Sequence, residues 1–155
     1  MAERFYVETL VDHPQHHWLV SGPSTSPENS YIAPDGTRTG LDMGPAMTMA
    51  LVRQLFDHCL AASELLGTDH EFAAILREKR ARLAPIRVGA DGRLLEWSED
   101  FKEHEPGHRH TSHLFPLHPG NEISVRRTPE FAVAARKSLE ARLSHGGGYT
   151  GWSRA

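Results

Sequence analysis

The stretch from residue 42 to residue 66 constrains the fold most, because its apolar side chains recur at helical spacing on more than one face. A first row runs through Met47, Leu51, Leu55, Cys59 and Ala62. A second row widens it through Val52, Phe56, Leu60, Leu65 and Leu66. So broad an apolar surface is typical of a helix that is packed on two sides. We expect this helix to be capped by Asp42, to hold Pro45 in its first turn and to end at Gly67.

A second helix follows almost at once. Thr68 and Glu71 have the spacing of a capping box, and the helical pattern after them runs to Pro85. A connection this short places consecutive helices antiparallel. Further helices are predicted over residues 3–12 and after Thr128, which is expected to be an N-cap followed by Pro129 at the first helical position.

Turn signals interrupt the helical regions. The pairs Asp35-Gly36 and Asp91-Gly92 predict two β-hairpins. Residues 98–121 lack a regular pattern, and a loop of that length in a compact domain is usually functional. The sequence therefore predicts an all-α domain with small β-hairpins, whose candidate functional residues lie in loops at one end of the helices.

Composition excludes several functional classes. The net charge of −3 offers no basic surface for nucleic acid. No apolar run approaches the ~18 residues of a membrane span, so no membrane association is expected, and the N-terminus does not resemble a signal peptide. Cys59 is the single cysteine, which rules out an internal disulfide; its place in an apolar helical pattern predicts a buried thiol.

Glu28 is the lone acid of SGPSTSPENSY, residues 21–31. Pro23 and Pro27 restrict the backbone on its N-terminal side, and Asn29 can bond neighbouring backbone or a sugar hydroxyl. A carboxyl held in fixed geometry suits general acid catalysis. The same pattern also fits a solvent-facing glutamate at the start of a helix, so the residues alone leave both interpretations open.

Histidine is the unusual residue type, with 11 in the chain, and His108, His110 and His113 form an HxHxxH pattern. Three imidazoles could bind zinc. Arg109 between them disfavours a cation, and no HExxH or CxxC motif is present. The alternatives are a wall of hydrogen-bond donors facing a ligand, or a loop held by histidine-to-backbone bonds.

Aromatic residues accompany two of these segments. Trp97 in LLEWSEDF, residues 94–101, could present a ring face to a sugar or be buried in the core, and the sequence favours neither. Tyr149 and Trp152 in GGGYTGWSRA predict a further aromatic group at the rim of a site. The glycines do not form GxGxxG after a strand, so a nucleotide is not expected.

Taken in order, SGPSTSPENS, LEWSEDF, PGHRHTSHLFPLHPGNEIS, TPE and GYTGWS resemble the catalytic domain of glycoside hydrolase family 95, from about Trp18 to Ala155. This family comprises α-L-fucosidases, with some members that prefer α-L-galactosides. The resemblance implies an (α/α)₆ toroid with its active site in the loops at one end. It also implies hydrolysis with inversion of configuration, without a cofactor or metal.

The resemblance assigns roles to particular residues. Glu28 becomes the proton donor to the leaving oxygen, and neighbouring apolar groups are expected to keep it protonated near neutral pH. The residues expected to bind the sugar are Arg109, His110, His108, His113, Asn29 and Trp97. The expected partner is a fucosylated oligosaccharide or glycoconjugate.

Two family motifs are missing. The chain lacks an NxNxEMNYW-like segment with the asparagines that position water and an FQIDGNFG-like segment with the base, and it has Pro116 and His118 where the family differs. Twelve helices of ~15 residues with their loops need on the order of 300 residues. We therefore interpret residues 1–155 as part of a toroid that holds the acid and not the base.

Such a chain is expected to be inactive alone and to self-associate through exposed helix faces. The rival interpretations are a non-catalytic carbohydrate-binding fragment and a purely structural helical fragment. The family resemblance implies a secreted or periplasmic parent protein, whereas the chain itself gives no localisation.

Overall fold

Helices and short paired strands make up the regular structure of residues 2–154, which a computed structural model describes, the side chains of Trp152 and Arg154 excepted. The helices are α1 (Ala2–Thr9), α2 (Ala46–Leu66), α3 (His70–Arg82), α4 (Pro129–Ser144) and α5 (Gly151–Arg154). The strands are β1 (Val11–Asp12), β2 (Leu19–Val20), β3 (Ser24–Thr25), β4 (Tyr31–Ile32), β5 (Arg38–Thr39), β6 (Leu41–Asp42) and β7 (Lys102–Glu103). The prediction of a helical domain with small antiparallel β-structure is confirmed.

Helices α2 and α3 form the predicted antiparallel pair. Gly67 ends α2 in the left-handed conformation, with φ of 64°, as predicted. Near the other end of the pair, Arg80 of α3 donates from Nε to Asp57 Oδ1 of α2 at 2.8 Å. A short connection at one end and an ion pair towards the other are what an antiparallel arrangement produces.

The buried face of α2 differs from the first apolar row predicted. Met49, Val52 and Phe56 are at most 1% exposed and pack with Leu76 of α3 and Val20 of β2. Leu51 of the first row is 40% exposed. Only one face of α2 is therefore buried in full, and its second apolar face is partly open to solvent.

Two predicted caps are wrong. Asp42 lies in β6 and accepts a hydrogen bond from the Ser98 backbone N–H at 2.8 Å, so α2 begins after Pro45 instead. Thr68 does not cap α3, because three residues join the two helices and Asp69 takes the N-cap position in a left-handed conformation. At α4, Thr128 holds the predicted N-cap position, but its hydroxyl bonds the preceding turn at Ser124.

The strands join segments that are distant in sequence. The Asp35-Gly36 turn connects the predicted hairpin of β4 and β5, while β7 pairs with the other edge of β4. β3 pairs with β6, and β1 pairs with β2. Around Asp91-Gly92 the hairpin is reduced to a single bridge between Val88 and Leu94. These pairings brace the loop between β3 and β4, which carries Glu28, from both ends.

The predicted loop from residue 98 to residue 121 contains regular structure. It includes β7 and a 3₁₀ turn at Ser112–Leu114. It packs over α4, where Leu94, Leu114, Ile123, Ala134 and Ala135 form a second buried apolar cluster. Within the described residues, none of the helices has both the length and the apolar character that crossing a membrane requires.

Candidate functional site

Glu28 occupies a strained position between β3 and β4. Its backbone φ is 54°, in the left-handed region that a residue with a long side chain seldom adopts. Its side chain is 62% exposed. Backbone strain of this kind recurs at functional sites, where the surrounding structure holds it in place.

Three consecutive residues, His108, Arg109 and His110, which we call the HRH segment, contact Glu28. His110 Nε2 lies 2.7 Å from Glu28 Oε2, and Arg109 Nη2 donates to the same oxygen. His108 Nε2 donates to the Glu28 backbone carbonyl at 3.1 Å, while its Nδ1 accepts from the His110 N–H. The structure thus brings Glu28 together with three consecutive residues that lie 80 to 82 positions later in the sequence, and the sequence analysis had singled out all four.

The ionisation of Glu28 differs from expectation. The hydrogen bond with His110 and the positive charge of Arg109 lower the pKa of Glu28 below its ordinary value of 4.5. The expected apolar surroundings that would keep this carboxyl protonated are not what it contacts. These contacts favour the charged form of Glu28.

Arg109 links this carboxylate to a further aromatic residue. A hydrogen bond with Tyr149, and then the charge of Glu28, raise the pKa of Arg109. Tyr149 is 63% exposed, so it lies at the rim where the sequence predicted an aromatic group. The side chain of Trp152, predicted beside it, is outside the described part.

Asn29 and His113 are directed away from this surface. Asn29 is buried, and its amide donates to both carboxylate oxygens of Glu96 at 3.1 Å. His113 is also buried, with Nδ1 3.4 Å from Glu96 Oε2 but without hydrogen-bond geometry. Neither side chain reaches the exposed edge of Glu28.

Trp97 is a core residue in this structure. It is 4% exposed and its ring lies 5.3 Å from that of Tyr31. Its indole Nε1 has no hydrogen-bond partner among the described atoms. Of the two interpretations that the sequence left open, the structure places Trp97 in the one that buries the ring.

The histidines of the HxHxxH pattern face different partners. His108 contacts the Glu28 backbone, His110 its carboxylate and His113 Glu96. In the part of the chain that the structure describes, no three histidine, cysteine or acidic side chains converge as metal ligands would. His108 and His110 thus form a wall beside Glu28, with bonds to the loop backbone and to the carboxylate, whereas His113 does not belong to it.

An open groove of about 640 Å³ borders this wall. Thr111 and Tyr149 lie at its Arg109 end, and the rest of its lining is largely apolar, from Leu114, Leu117, Leu139 and Leu143. Arg109 therefore links the Glu28 carboxylate to Tyr149, which lines the groove.

Sequence reasoning missed Glu96, Arg142 and Ser26, which are all buried. Glu96 lies between Leu95 and Trp97, and an acid within an apolar run indicates burial beside a positive partner. Arg142 lies on the same side of α4 as the buried Ala135 and Ser138, and an arginine at that helical spacing indicates a buried positive charge.

Comparisons with known proteins show which family and which relatives the chain resembles. The model of the glycosyl hydrolase family 95 catalytic domain matches residues 1–155. The chain is 38% identical over 148 residues to Alpha-L-fucosidase 2 of Arabidopsis thaliana, covering 89% of this chain and 18% of that protein. It is 32% identical over 127 residues to Probable alpha-fucosidase A of Aspergillus niger, covering 79% of this chain and 15% of that one.

The chain thus spans less than a fifth of the length of these curated relatives. The match of the family model over the whole chain, together with the identity to both relatives, establishes that the chain belongs to the glycosyl hydrolase family 95 catalytic domain.

Proposed function

We propose that this chain supplies the proton donor and part of the sugar-binding wall of an inverting exo-glycosidase that hydrolyses terminal α-L-fucosides. The observation that carries the proposal is the contact of Arg109 and His110 with one carboxylate oxygen of Glu28. The names of both relatives support fucosides as the substrate class.

In this proposal Glu28 protonates the glycosidic oxygen as the bond breaks, and Arg109 and His110 donate hydrogen bonds to the sugar. Inversion requires a second carboxylate ~6.5–9.5 Å away, with room for a water molecule. That base and the remaining helices of an (α/α)₆ toroid belong to a longer protein. Because Asn29, His113 and Trp97 are buried here, we give them no contact with the sugar.

The low pKa of Glu28 fits a proton donor that is loaded when substrate binds. Sugar hydroxyls that accept from Arg109 and His110 would compete with the Glu28 carboxylate for these donors. Loss of those two interactions raises the pKa of Glu28, since they are what lowers it. Binding of the sugar thus favours the protonated form that the reaction needs.

The same observation favours a second function for the chain alone, which is binding of a fucoside without turnover. Since the contacts of Glu28 favour its charged form and the base is proposed to lie outside this chain, the wall would hold a sugar without cleaving it. Turnover of an aryl α-L-fucoside by the purified chain that is lost in Glu28→Gln would contradict this inactivity.

Titration of L-fucose into the chain, followed by NMR of the histidine rings, tests the sugar wall. We expect the His110 signals to shift, and Arg109→Ala to weaken binding by roughly tenfold or more, since a hydrogen bond to a charged group contributes about 1.5–3 kcal/mol. Arg136→Ala is the matched control, because Arg136 pairs with Glu140 on the exposed side of α4. Absence of a shift, or equal binding by Arg109→Ala, would contradict the wall.

A further inference from the structure

A buried carboxylate lies directly behind the Glu28 loop. Glu96 is 5% exposed and accepts from the Ser26 hydroxyl at 2.6 Å and from the Asn29 amide at 3.1 Å. Ser26 and Asn29 flank Pro27 and Glu28 in sequence. One carboxylate therefore grips the loop on both sides of the acid.

The same carboxylate is tied to the opposite wall. Arg142 of α4 donates from Nη2 to Glu96 Oε2 at 2.5 Å. Its Nη1 donates to the backbone carbonyls of Glu105 and Pro106 at 3.1 and 3.0 Å and also pairs with Glu103. Residues 105 and 106 lead directly into the HRH segment.

The five residues Ser26, Asn29, Glu96, His113 and Arg142, which we call the Glu96 cluster, are each at most 6% exposed. A buried, hydrogen-bonded charge is costly to move, since each partner left behind would be unsatisfied. The cluster thus offers a rigid connection between two loops that share no other buried ionic contact among the described residues.

Glu28 needs such a connection. Its left-handed φ of 54° is unfavourable for a side chain of this type and persists only where the surrounding contacts impose it. Its carboxylate is exposed, and among the described residues its hydrogen-bond partners lie on the HRH segment. The relative placement of the two loops therefore decides whether the three side chains meet.

We propose that Glu96 is a positioning residue for Glu28: its buried carboxylate fixes Ser26 and Asn29 on one side and, through Arg142, the HRH segment on the other. This role matters for catalysis only if Glu28 is the proton donor, and to that extent it rests on the proposed function. The placement of Glu28 against Arg109 and His110 by Glu96 does not depend on that function.

The test is the pKa of the Glu28 carboxyl, measured by carbon NMR in the chain and in Glu96→Gln. If Glu96 positions the loops, its neutralisation separates Glu28 from His110 and Arg109, and the pKa of Glu28 shifts upward towards 4.5. Simple electrostatics predicts the reverse, because removal of a nearby negative charge lowers the pKa of an acid. The sign of the shift distinguishes positioning from charge.

Glu122→Gln is the matched control. Glu122 pairs with the buried Arg53 at 2.7 and 2.9 Å, at a distance in sequence from both loops. We expect it to destabilise the chain without changing the pKa of Glu28. A folded Glu96→Gln with an unchanged or lower pKa of Glu28 would overturn the proposal.

If Glu96→Gln does not fold, Ser26→Ala decides in the same terms, since it removes one hydroxyl and no charge. An upward shift supports the proposal, and no shift overturns it. Because the readout is a pKa and not turnover or sugar binding, the result stands even if the proposed function fails. If the pKa of Glu28 shifts upward but L-fucose does not bind, Glu96 still positions Glu28, and only the proposed role of Glu28 in catalysis is lost.

Discussion

A proton donor must carry its proton into the reaction, yet the Glu28 carboxylate is stabilised in its charged form by His110 and Arg109. Among single residues, the buried Glu96 carboxyl also has a strongly shifted pKa. Burial by itself would raise its pKa, but the contact with His113, the charge of Arg142 and the Ser26 hydrogen bond outweigh burial and lower the pKa to about 2.

This lowered pKa predicts an acid-dependent stability. The Glu96 contribution is present in full above its ordinary pKa of 4.5 and is lost as pH falls through about 2. The difference of roughly 2.5 pH units corresponds to on the order of 3 kcal/mol. We expect the difference in free energy of unfolding between the wild type and Glu96→Gln to shrink by that order between pH 5 and pH 2, measured by urea denaturation. If the difference in free energy of unfolding between the two proteins does not vary with pH, the lowered pKa of Glu96 is contradicted.

Sequence reasoning reached some residues and not others for a physical reason. The association of Glu28 with Arg109 and His110 was anticipated because their motifs resemble those of a known family, and their catalytic roles stay predictions. Glu96, the buried partner of Asn29 and His113, was not predicted. Its charge is balanced by Arg142, which lies 46 positions later in the sequence, and no local pattern links the two residues. Only the fold shows which acid meets which base.

At the scale of elements, the HRH segment is held against the end of α4 by close backbone packing. A Cβ added at Gly107 would lie 2.0 Å from the His145 carbonyl oxygen, which leaves no space for any other residue type. Arg142 contacts the same segment from the last turn of α4. Helix α4 thus serves as the platform on which Arg109 and His110 are presented.

Gly107→Ala is therefore expected to displace this segment, because the clash is with backbone and not with a flexible side chain. Overpacking of this kind costs typically 1–3 kcal/mol or more, and it should also weaken the contact of His110 with Glu28. Thermal denaturation and the NMR signals of His110 provide the readouts. Gly151→Ala is the control, since its added Cβ meets no described atom within 4 Å. Equal behaviour of the two variants would contradict this account of the segment.

Elements were predictable where local signals suffice. The long helix ended at Gly67 and the Asp35-Gly36 hairpin formed as predicted, since turn and C-cap chemistry is local. The cap at Asp42 failed because β6 pairs with β3, a contact that the local pattern does not contain. The apolar row at Leu51 failed because periodicity identifies an apolar face without showing what covers it.

At the scale of the whole molecule, apolar surface remains open on one side. Leu139, Leu143 and Tyr149 are 40%, 45% and 63% exposed, and all three line the groove beside the Arg109 wall. Soluble domains seldom leave a contiguous apolar surface uncovered. We propose that further helices of a toroid cover it in a longer protein, and that copies of this chain associate through it.

This association is expected to depend on concentration in sedimentation velocity. Leu143→Glu should reduce it, because a charge in the groove opposes burial. Val125→Glu is the control, as Val125 is 76% exposed but does not line the groove. A monomer at all concentrations, or the same effect of both substitutions, would contradict the proposal.

The most direct test of the central claim compares two leaving groups in the full-length protein that contains this chain. Fluoride departs without a proton, whereas the oxygen of a fucosylated disaccharide requires one. If Glu28 is the proton donor, Glu28→Gln should lower kcat/KM by ~10²-fold or more on the disaccharide and by less than about tenfold on α-L-fucosyl fluoride. Equal losses on the two substrates, or no loss on the disaccharide, would contradict the assignment of Glu28 as the acid.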